Sequence, residues 1–239
     1  MNTKIVGNGA INSGEYENII IRGKGKMCGK VKCASFSSAG SVSGESVECS
    51  GDFKASGNTK FSGSLAAVNV KTKGKFSANG KITTEDNVTA YGKLKCADSI
   101  KANVMRAFGA IKVEKDVEGE NVEINGSLNC NGLVNAETFT LRSDARSRIG
   151  CIGGGSITIK TKGIRKFLSR IPLLSRILKP LSVESYIEGE EIFVESLSCP
   201  KIIGSYVVIG KGCKIGLVQY TDKIEISPKA KAKRVEKIS

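Results

Sequence analysis

Two consecutive stretches of sequence, GKLKCADSIKANVMRAF (92–108) and GAIKVEKDVEGENVEIN (109–125), decide the fold of this protein. Each begins with glycine and continues as an alternation of apolar and polar residues, which is the pattern of a β-strand with one buried face. The stretches have the same length and follow one another directly, so they read as copies of one structural unit. The sequence therefore predicts a repeat of about 17 residues per turn.

The repeat runs through most of the chain. Glycines recur at 23, 40, 57, 74, 92, 109 and 126, and two columns of mostly apolar residues recur with them. The two columns stand two residues apart, so both lie on the same face of an extended strand. The first column is Ile19, Phe36, Phe53, Val70, Val88, Met105, Val122, Phe139 and Ile157, and the second is Ile21, Ser38, Ala55, Thr72, Ala90, Ala107, Ile124, Leu141 and Ile159.

Short strands, three to a turn and joined by Gly, Asn, Asp or Ser corners, predict an all-β fold. We expect a single three-sided parallel β-helix, a solenoid in which each turn stacks about 4.8 Å above the last. The general preference of parallel crossovers predicts a right-handed coil. In this division of the chain, residues 1–18 form an N-terminal tail or partial first turn and residues 19–163 form the first part of the β-helix. Residues 182–239 form its last turns and a basic C-terminal tail.

One segment breaks the repeat. From Ile157 to Ile192 the spacing is about two turns where the repeat would place one, and Ile192, Ile209 and Ile226 then continue with the regular step. Residues 164–181 are thus predicted to be an insertion that protrudes from the solenoid. At 100° per residue most of its apolar side chains fall on one arc and most of its basic ones opposite, which predicts an amphipathic helix. Pro172 predicts a kink or break within it.

Three interpretations of the insertion stay open. It could pack against the solenoid, lie in the headgroup region of an anionic membrane, or occupy the groove of a partner protein. The residues predicted to contact the membrane or partner are Ile164, Arg165, Lys166, Phe167, Leu168, Arg170, Ile171, Leu174, Arg176, Leu178, Lys179 and Leu181.

The composition limits the classes of function that this chain can have. The formal net charge of +14 favours an anionic partner surface. Because the chain has no histidine, it lacks the usual catalytic base, and its eight cysteines lack the spacing of a zinc site, so we expect no enzyme activity, metal or cofactor. The lysines are dispersed and aromatic residues are scarce, which disfavours nucleic-acid binding. The cysteines are interpreted as buried core residues in a reducing cytosol.

The N-terminal sequence shows no apolar signal region, and no window is apolar over about 20 residues, so we expect neither a signal peptide nor a spanning helix. These features predict a cytoplasmic location, with a peripheral position at the cytoplasmic membrane if the insertion binds lipid.

The glycine repeats of 23–141, followed by IEGEEIFVESLSCPKIIGSYVVIGKGCKIGLVQYTDKIEISPKAKAKRVEKIS (187–239), resemble the bactofilin, or polymer-forming cytoskeletal, family. The ending is particularly similar to the bactofilin-like proteins of Gram-positive bacteria, and the resemblance covers about residues 19–238 without the insertion. It implies a right-handed β-helix that joins end to end into filaments without nucleotide and serves as a scaffold. The chain departs from the family in its greater number of turns and in the insertion.

A solenoid exposes unpaired backbone groups at its first and last turns, and such edges favour self-association. Ile19, Ile20 and Ile21 are the predicted self-association end. We therefore expect a homopolymer, tethered to an anionic membrane and able to recruit protein clients. The alternative is a monomeric β-helical module that binds a protein or an anionic polymer.

Overall fold

The computed structural model describes residues 2–161 and 181–239, and within them it contains strands but no helix. Contacts divide the chain into two compact units, one ending at Glu118 and one beginning at Gly119. We call them the first and second unit. Each is built from parallel strands that pair with the strand about one turn away, so the predicted all-β solenoid with about 17 residues per turn is confirmed. The hand of the coil stays a prediction.

The first unit contains seven complete strands and the start of an eighth. They are β1 (Thr3–Gly44), β2 (Ser46–Cys49), β3 (Asp52–Phe61), β4 (Leu65–Ala78), β5 (Ile82–Cys96), β6 (Ile100–Lys101), β7 (Val104–Val113) and the first residues of β8 (Val117–Arg142). Strand β1 is long enough to run through more than two turns. The pairs Phe53–Val70 and Val70–Val88 join β3, β4 and β5 in parallel register.

Both predicted columns lie inside. In the first unit, every member of the first column from Ile19 to Met105 is at most 1% exposed, and the second column is also buried. Aromatic rings fill part of this core: the rings of Phe36 and Phe53 stack with centroids 4.6 Å apart, and those of Phe61 and Phe76 meet edge to face at 5.7 Å. The hydrophobic effect on this ladder is the main force that holds the turns together.

A polar ladder runs beside the apolar one. The Asn69 side-chain amide donates a hydrogen bond to Asp52 Oδ1 at 3.1 Å, and the Asn87 amide donates to Asn69 Oδ1 at 2.9 Å. The three residues pair in register on successive turns, so each amide satisfies an oxygen of the residue before it. The ladder helps to fix the register between turns.

The repeated glycines form a corner of each turn. At Gly57 and Gly74 the burial pattern changes from alternation to three consecutive exposed residues, and both glycines have positive φ, +109° and +102°. A Cβ atom on Gly74 would stand 2.4 Å from the carbonyl oxygen of Gly57. The corner therefore needs glycine for two separate reasons, backbone conformation and close stacking.

The second unit contains the rest of β8 and six further strands. They are β9 (Arg148–Lys160), β10 (Leu181–Val183), β11 (Tyr186–Val194), β12 (Leu197–Ile209), β13 (Lys214–Ile226) and β14 (Lys231–Lys237). Ile157 pairs directly with Ile192, which confirms that the chain between them makes a single turn and carries about one extra turn's length with it.

One register prediction for the second unit is wrong. Ile192 stacks on Val207 and not on Ile209, which instead pairs with Val194. This turn is therefore shorter than the repeat, and it is tightened at Ser196, directly before β12, where the backbone adopts a positive φ of 52°. The regular step then returns as predicted, since Val207 pairs with Ile224 and Ile209 pairs with Ile226.

Candidate functional site

The segment predicted to contact a membrane or partner lies almost entirely outside the described residues, which resume at 181. Its last member, Leu181, is described, and here the prediction is wrong. Leu181 belongs to β10, pairs with Leu197 and is only 4% exposed, so its side chain is part of the core. The solenoid therefore resumes at Leu181, and the excursion ends one residue earlier than the sequence indicated.

Polar contacts fasten the chain on both sides of this excursion. The Arg148 guanidinium forms a two-pronged pair with the Glu184 carboxylate, with Nη2 to Oε2 at 2.9 Å. The hydrogen bonds and the charge of Arg148 lower the pKa of Glu184 below its ordinary value. Before the excursion, the Lys160 ammonium lies 4.5 Å from the centre of the Phe193 ring. These contacts therefore join β9, which precedes residues 162–180, to the part of the chain that follows them.

A buried serine completes this support. The backbone N–H of Ser182 donates to the Ser147 carbonyl at 3.0 Å, and the Ser147 hydroxyl accepts a hydrogen bond from the Leu128 N–H at 3.1 Å. Ser147 is fully buried. The turn that carries the excursion therefore has its backbone held to the turn before it.

The predicted self-association end is not at an edge. A further turn precedes Ile19–Ile21, since β1 begins at Thr3 and a Cβ on Gly23 would meet the Gly7 carbonyl oxygen at 2.3 Å. Ile19 and Ile21 are fully buried, while Ile20 points outward and is 38% exposed. Residues 1–18 therefore include an ordered turn. Its step from Gly7 to Gly23 is slightly shorter than the repeat, so exact repetition in the sequence does not reveal it.

Strand β14 has an open edge. Among residues 2–161 and 181–239 it pairs only with β13, through Lys214–Lys231 to Tyr220–Lys237. Val235 on β14 and Ile226 at the end of β13 are large apolar residues, 42% and 39% exposed. The same strand carries four exposed cations, Lys231, Lys233, Arg234 and Lys237. Edge strands that are both unpaired and partly apolar are sites where another chain can add.

Two cysteines of the first unit stack on neighbouring turns. Cys33 pairs in register with Cys49, and both line an open groove of about 980 Å³ together with Tyr16 and Glu48. The thiol of Cys33 and the backbone N–H groups of Gly51 and Phe36 stabilise the Cys49 thiolate, lowering the pKa of Cys49 to about 7. The pKa of Cys33 is raised, chiefly because it donates to Cys49 and is buried. In the sequence the two cysteines are nearly one turn apart, and this separation could have predicted their contact.

The first unit also carries an exposed aromatic pair that the sequence did not predict. The rings of Tyr91 and Phe108 stack with centroids 5.2 Å apart and planes 7° apart, and the two residues are 42% and 40% exposed. They stand directly before the corner glycines Gly92 and Gly109 and are paired in register. Their spacing equals the repeat and could have revealed the contact.

Neither a membrane-spanning helix nor a metal cluster is present in the part of the chain that the structure describes. No helix there is long and apolar enough to cross a bilayer. No group of three or more His, Cys, Asp or Glu side chains is placed to hold a metal ion in those residues.

Comparison with known proteins gives one relative. The chain is 32% identical over 108 residues to a Bacillus subtilis (strain 168) protein described as "Uncharacterized protein YhbF", and the match covers 45% of this chain and 42% of the relative. The aligned part thus spans less than half of that protein. No family model and no solved structure matches the chain.

Proposed function

We propose that this protein is a non-enzymatic structural scaffold of the bactofilin type, which assembles end to end without nucleotide and is tethered to the inner face of a membrane. The observation that carries the proposal is the stacking of turns by parallel backbone pairing, which leaves β14 with one open edge among the described residues. Adding a further turn from a second copy would extend the same hydrogen-bond pattern.

The side chains at this edge support assembly. Val235 and Ile226 are exposed in the monomer, and a stacked copy would remove both from water at a gain of about 25 cal/mol per Å² of apolar surface. The resemblance of the sequence to bactofilins points in the same direction. The tether is assigned to residues 164–180, whose basic and apolar composition suits an anionic lipid surface.

Electron microscopy and sedimentation velocity of the purified chain test the assembly. We expect filaments in the wild type and short oligomers or monomers for Ile226→Lys/Val235→Lys, because a charge at the edge opposes stacking. Thr83→Lys, at an exposed position on a middle turn of the first unit, is the matched control and should assemble normally. A wild-type protein that stays monomeric across salt and protein concentration contradicts the scaffold.

Flotation with vesicles tests the tether. Deletion of 164–180, with the core residue Leu181 kept, should lower binding to vesicles that contain anionic lipid and leave the fold intact. Unchanged binding of the deletion variant contradicts the assignment of the tether to this segment.

A second candidate function follows from the cations on β14. Lys231, Lys233 and Lys237 place positive charge along the open edge. Charged side chains on an edge strand are a usual means by which a monomeric β-protein prevents pairing with another chain. A monomeric module that binds a protein or an anionic polymer is therefore the alternative. The sedimentation experiment distinguishes the two functions, since the size of the sedimenting species increases with protein concentration only for the scaffold.

A further inference from the structure

The basic residues of the first unit are not evenly distributed over its surface. The chain turns a corner at each of the stacked glycines Gly23, Gly40, Gly57, Gly74, Gly92 and Gly109, and the segments around these six corners are 20–26, 37–43, 54–60, 71–77, 89–95 and 106–112. From 37–43 onward they pair in register from turn to turn. Stacked corners form a convex ridge, which we call the basic ridge, defined by the outward residues of these six segments.

The ridge carries charge of one sign. Its six segments contain twelve lysines and arginines and no aspartate or glutamate: Arg22, Lys24, Lys26, Lys54, Lys60, Lys71, Lys73, Lys75, Lys93, Lys95, Arg106 and Lys112. The intervening segments 28–34, 45–51, 62–68, 79–85 and 97–103 belong to the same turns and hold four lysines and four acidic residues. A surface that serves solubility alone mixes both signs, as these intervening segments do.

Like charges on the ridge stand directly opposite each other. Lys54 pairs in register with Lys71, and Lys75 pairs with Lys93, in the arrangement that destabilises a sheet. Ion pairs relieve little of this repulsion. In the described part of the chain, only Lys54 and Lys112 of the twelve have a carboxylate within 4.0 Å. The ridge therefore holds a repulsion that an external anionic surface would neutralise.

Intervening cations behave differently. Lys30 lies 3.1 Å from Glu48, and Lys101 lies 2.7 Å from Glu118. Charge neutralisation between turns is thus available to this fold and is used away from the ridge. The scarcity of ion pairs is therefore specific to the ridge and is not a general feature of the fold.

The exposed aromatic pair lies at the crest of the ridge. Lys73, Tyr91 and Phe108 form one in-register column beside the corner glycines, and all three are exposed. Lys71 and Arg106 flank this column on one side, and Lys75 and Lys93 flank it on the other. Aromatic rings surrounded by cations are the side chains that favour the headgroup region of an anionic bilayer.

We propose that the basic ridge of the first unit binds the surface of an anionic lipid membrane, with its lysines against the headgroups and the Tyr91–Phe108 pair in the interfacial layer. The cations form a two-dimensional grid on a convex surface, which matches an array of headgroups better than one nucleic-acid backbone. The inner faces of the two rings already cover each other, so they are unsuited to stack on successive bases. The ridge consists of segments within residues 20–112 and does not include residues 164–180, so its membrane contact adds to the proposed tether.

The first test compares two full-length variants with the same change in charge. Lys71→Gln/Lys73→Gln/Lys75→Gln alters the ridge, and Lys30→Gln/Lys81→Gln/Lys101→Gln alters exposed lysines away from it. Each lysine near an anionic leaflet contributes roughly a fivefold factor in partitioning, so the ridge variant should bind vesicles of phosphatidylcholine with phosphatidylglycerol about 100-fold more weakly. The control should lose no more than a few-fold. Equal losses in the two variants overturn the proposal, as does a wild type that does not float with these vesicles.

The second test reports the position of the ring. The chain contains no tryptophan, so Phe108→Trp gives a single fluorescent reporter at the crest, and Thr83→Trp gives a matched reporter on the intervening surface. We expect a blue shift and quenching by brominated lipid for Phe108→Trp on anionic vesicles, and neither for Thr83→Trp. The absence of both signals at position 108 overturns the interfacial placement.

Two further experiments distinguish membrane binding by the ridge from binding by residues 164–180 and from binding of nucleic acid. If the ridge variant loses vesicle binding and the 164–180 deletion does not, the ridge is supported and the proposed tether fails. If only the deletion loses binding, the tether is supported and the ridge fails. A labelled single-stranded oligonucleotide is the competing partner: displacement of the wild type from vesicles by this oligonucleotide, with no reporter signal on lipid, assigns the ridge to nucleic acid and overturns the proposal.

Discussion

The corner glycines provide the sharpest test of how the turns stack, and Gly74→Ala is the most informative change. At φ +102° an alanine occupies a backbone region that costs of order 1–3 kcal/mol. Its Cβ would also stand 2.4 Å from the Gly57 carbonyl oxygen, so the neighbouring turn has to shift, at about 1–3 kcal/mol. The expected loss in free energy of unfolding is therefore about 4 kcal/mol.

Gly7→Ala separates these two costs. Gly7 has a similar φ of +88°, but a Cβ there meets no atom within 4 Å. This variant should lose only the conformational part, about 2 kcal/mol. For a chain of this size about 1 kcal/mol corresponds to 2–4 °C, so Gly74→Ala should lower the melting temperature by roughly 8–16 °C and Gly7→Ala by about half of that.

Circular dichroism melting measures both variants, and hydrogen exchange locates the damage. Faster hydrogen exchange in Gly74→Ala should centre on β3, β4 and β5, because these are the paired strands whose stacking the added Cβ displaces. If Gly74→Ala and Gly7→Ala lose equal stability, the close stacking of glycine on glycine contributes nothing, and the explanation of the corner by contact is refuted.

Three further predictions address the core, the thiols and the excursion. Phe53→Ala should cost about 3–5 kcal/mol in unfolding experiments, because Phe53 is fully buried and stacked on its neighbour; a loss below about 1 kcal/mol contradicts its central place in the aromatic core. Iodoacetamide followed by mass spectrometry should modify the exposed Cys28 in the native protein and leave the fully buried Cys96 unmodified until denaturant is added; equal rates for the two contradict the burial pattern. Arg148 lowers the pKa of Glu184 in the folded state, so its stabilising effect is present above the unfolded-state pKa and is lost as pH falls through the folded value. Glu184→Gln should therefore melt below wild type at neutral pH, with the difference shrinking as pH falls through the folded-state pKa of Glu184; a difference that is constant with pH contradicts the ion pair.

The repeat made the interior predictable because a solenoid places residues one turn apart in direct contact. The column from Ile19 through Phe53 to Met105 could be assigned from spacing alone, and every member proved buried. Turns of unequal length set the limit of this reasoning. The shortened step from Gly7 to Gly23 concealed the turn before Ile19, and the shortened step from Ile192 to Val207 displaced the predicted register.

The candidate surfaces were harder to predict, since outward positions obey no common requirement. Apolar composition marked Leu181 as part of the excursion, although its side chain completes the core beside Leu197. Tyr91 and Phe108 are two aromatic residues among many polar ones, and only the register makes them a pair. Dispersed lysines in the sequence become a ridge for the same reason, because steps of one turn bring them to the same corner.

The turn that carries the excursion also defines a practical site for protein engineering. In the turn before it, a short loop bridges the span from Arg142 to Arg148, and the equivalent positions Lys160 and Ser182 open and close the excursion. Both ends of any insert placed here are thus held at neighbouring points by an intact sheet. An affinity tag inserted directly after Thr161, before the segment assigned to the tether, should leave the register of the turns unchanged, which makes this junction a natural position for a label that reports where the protein lies in a cell.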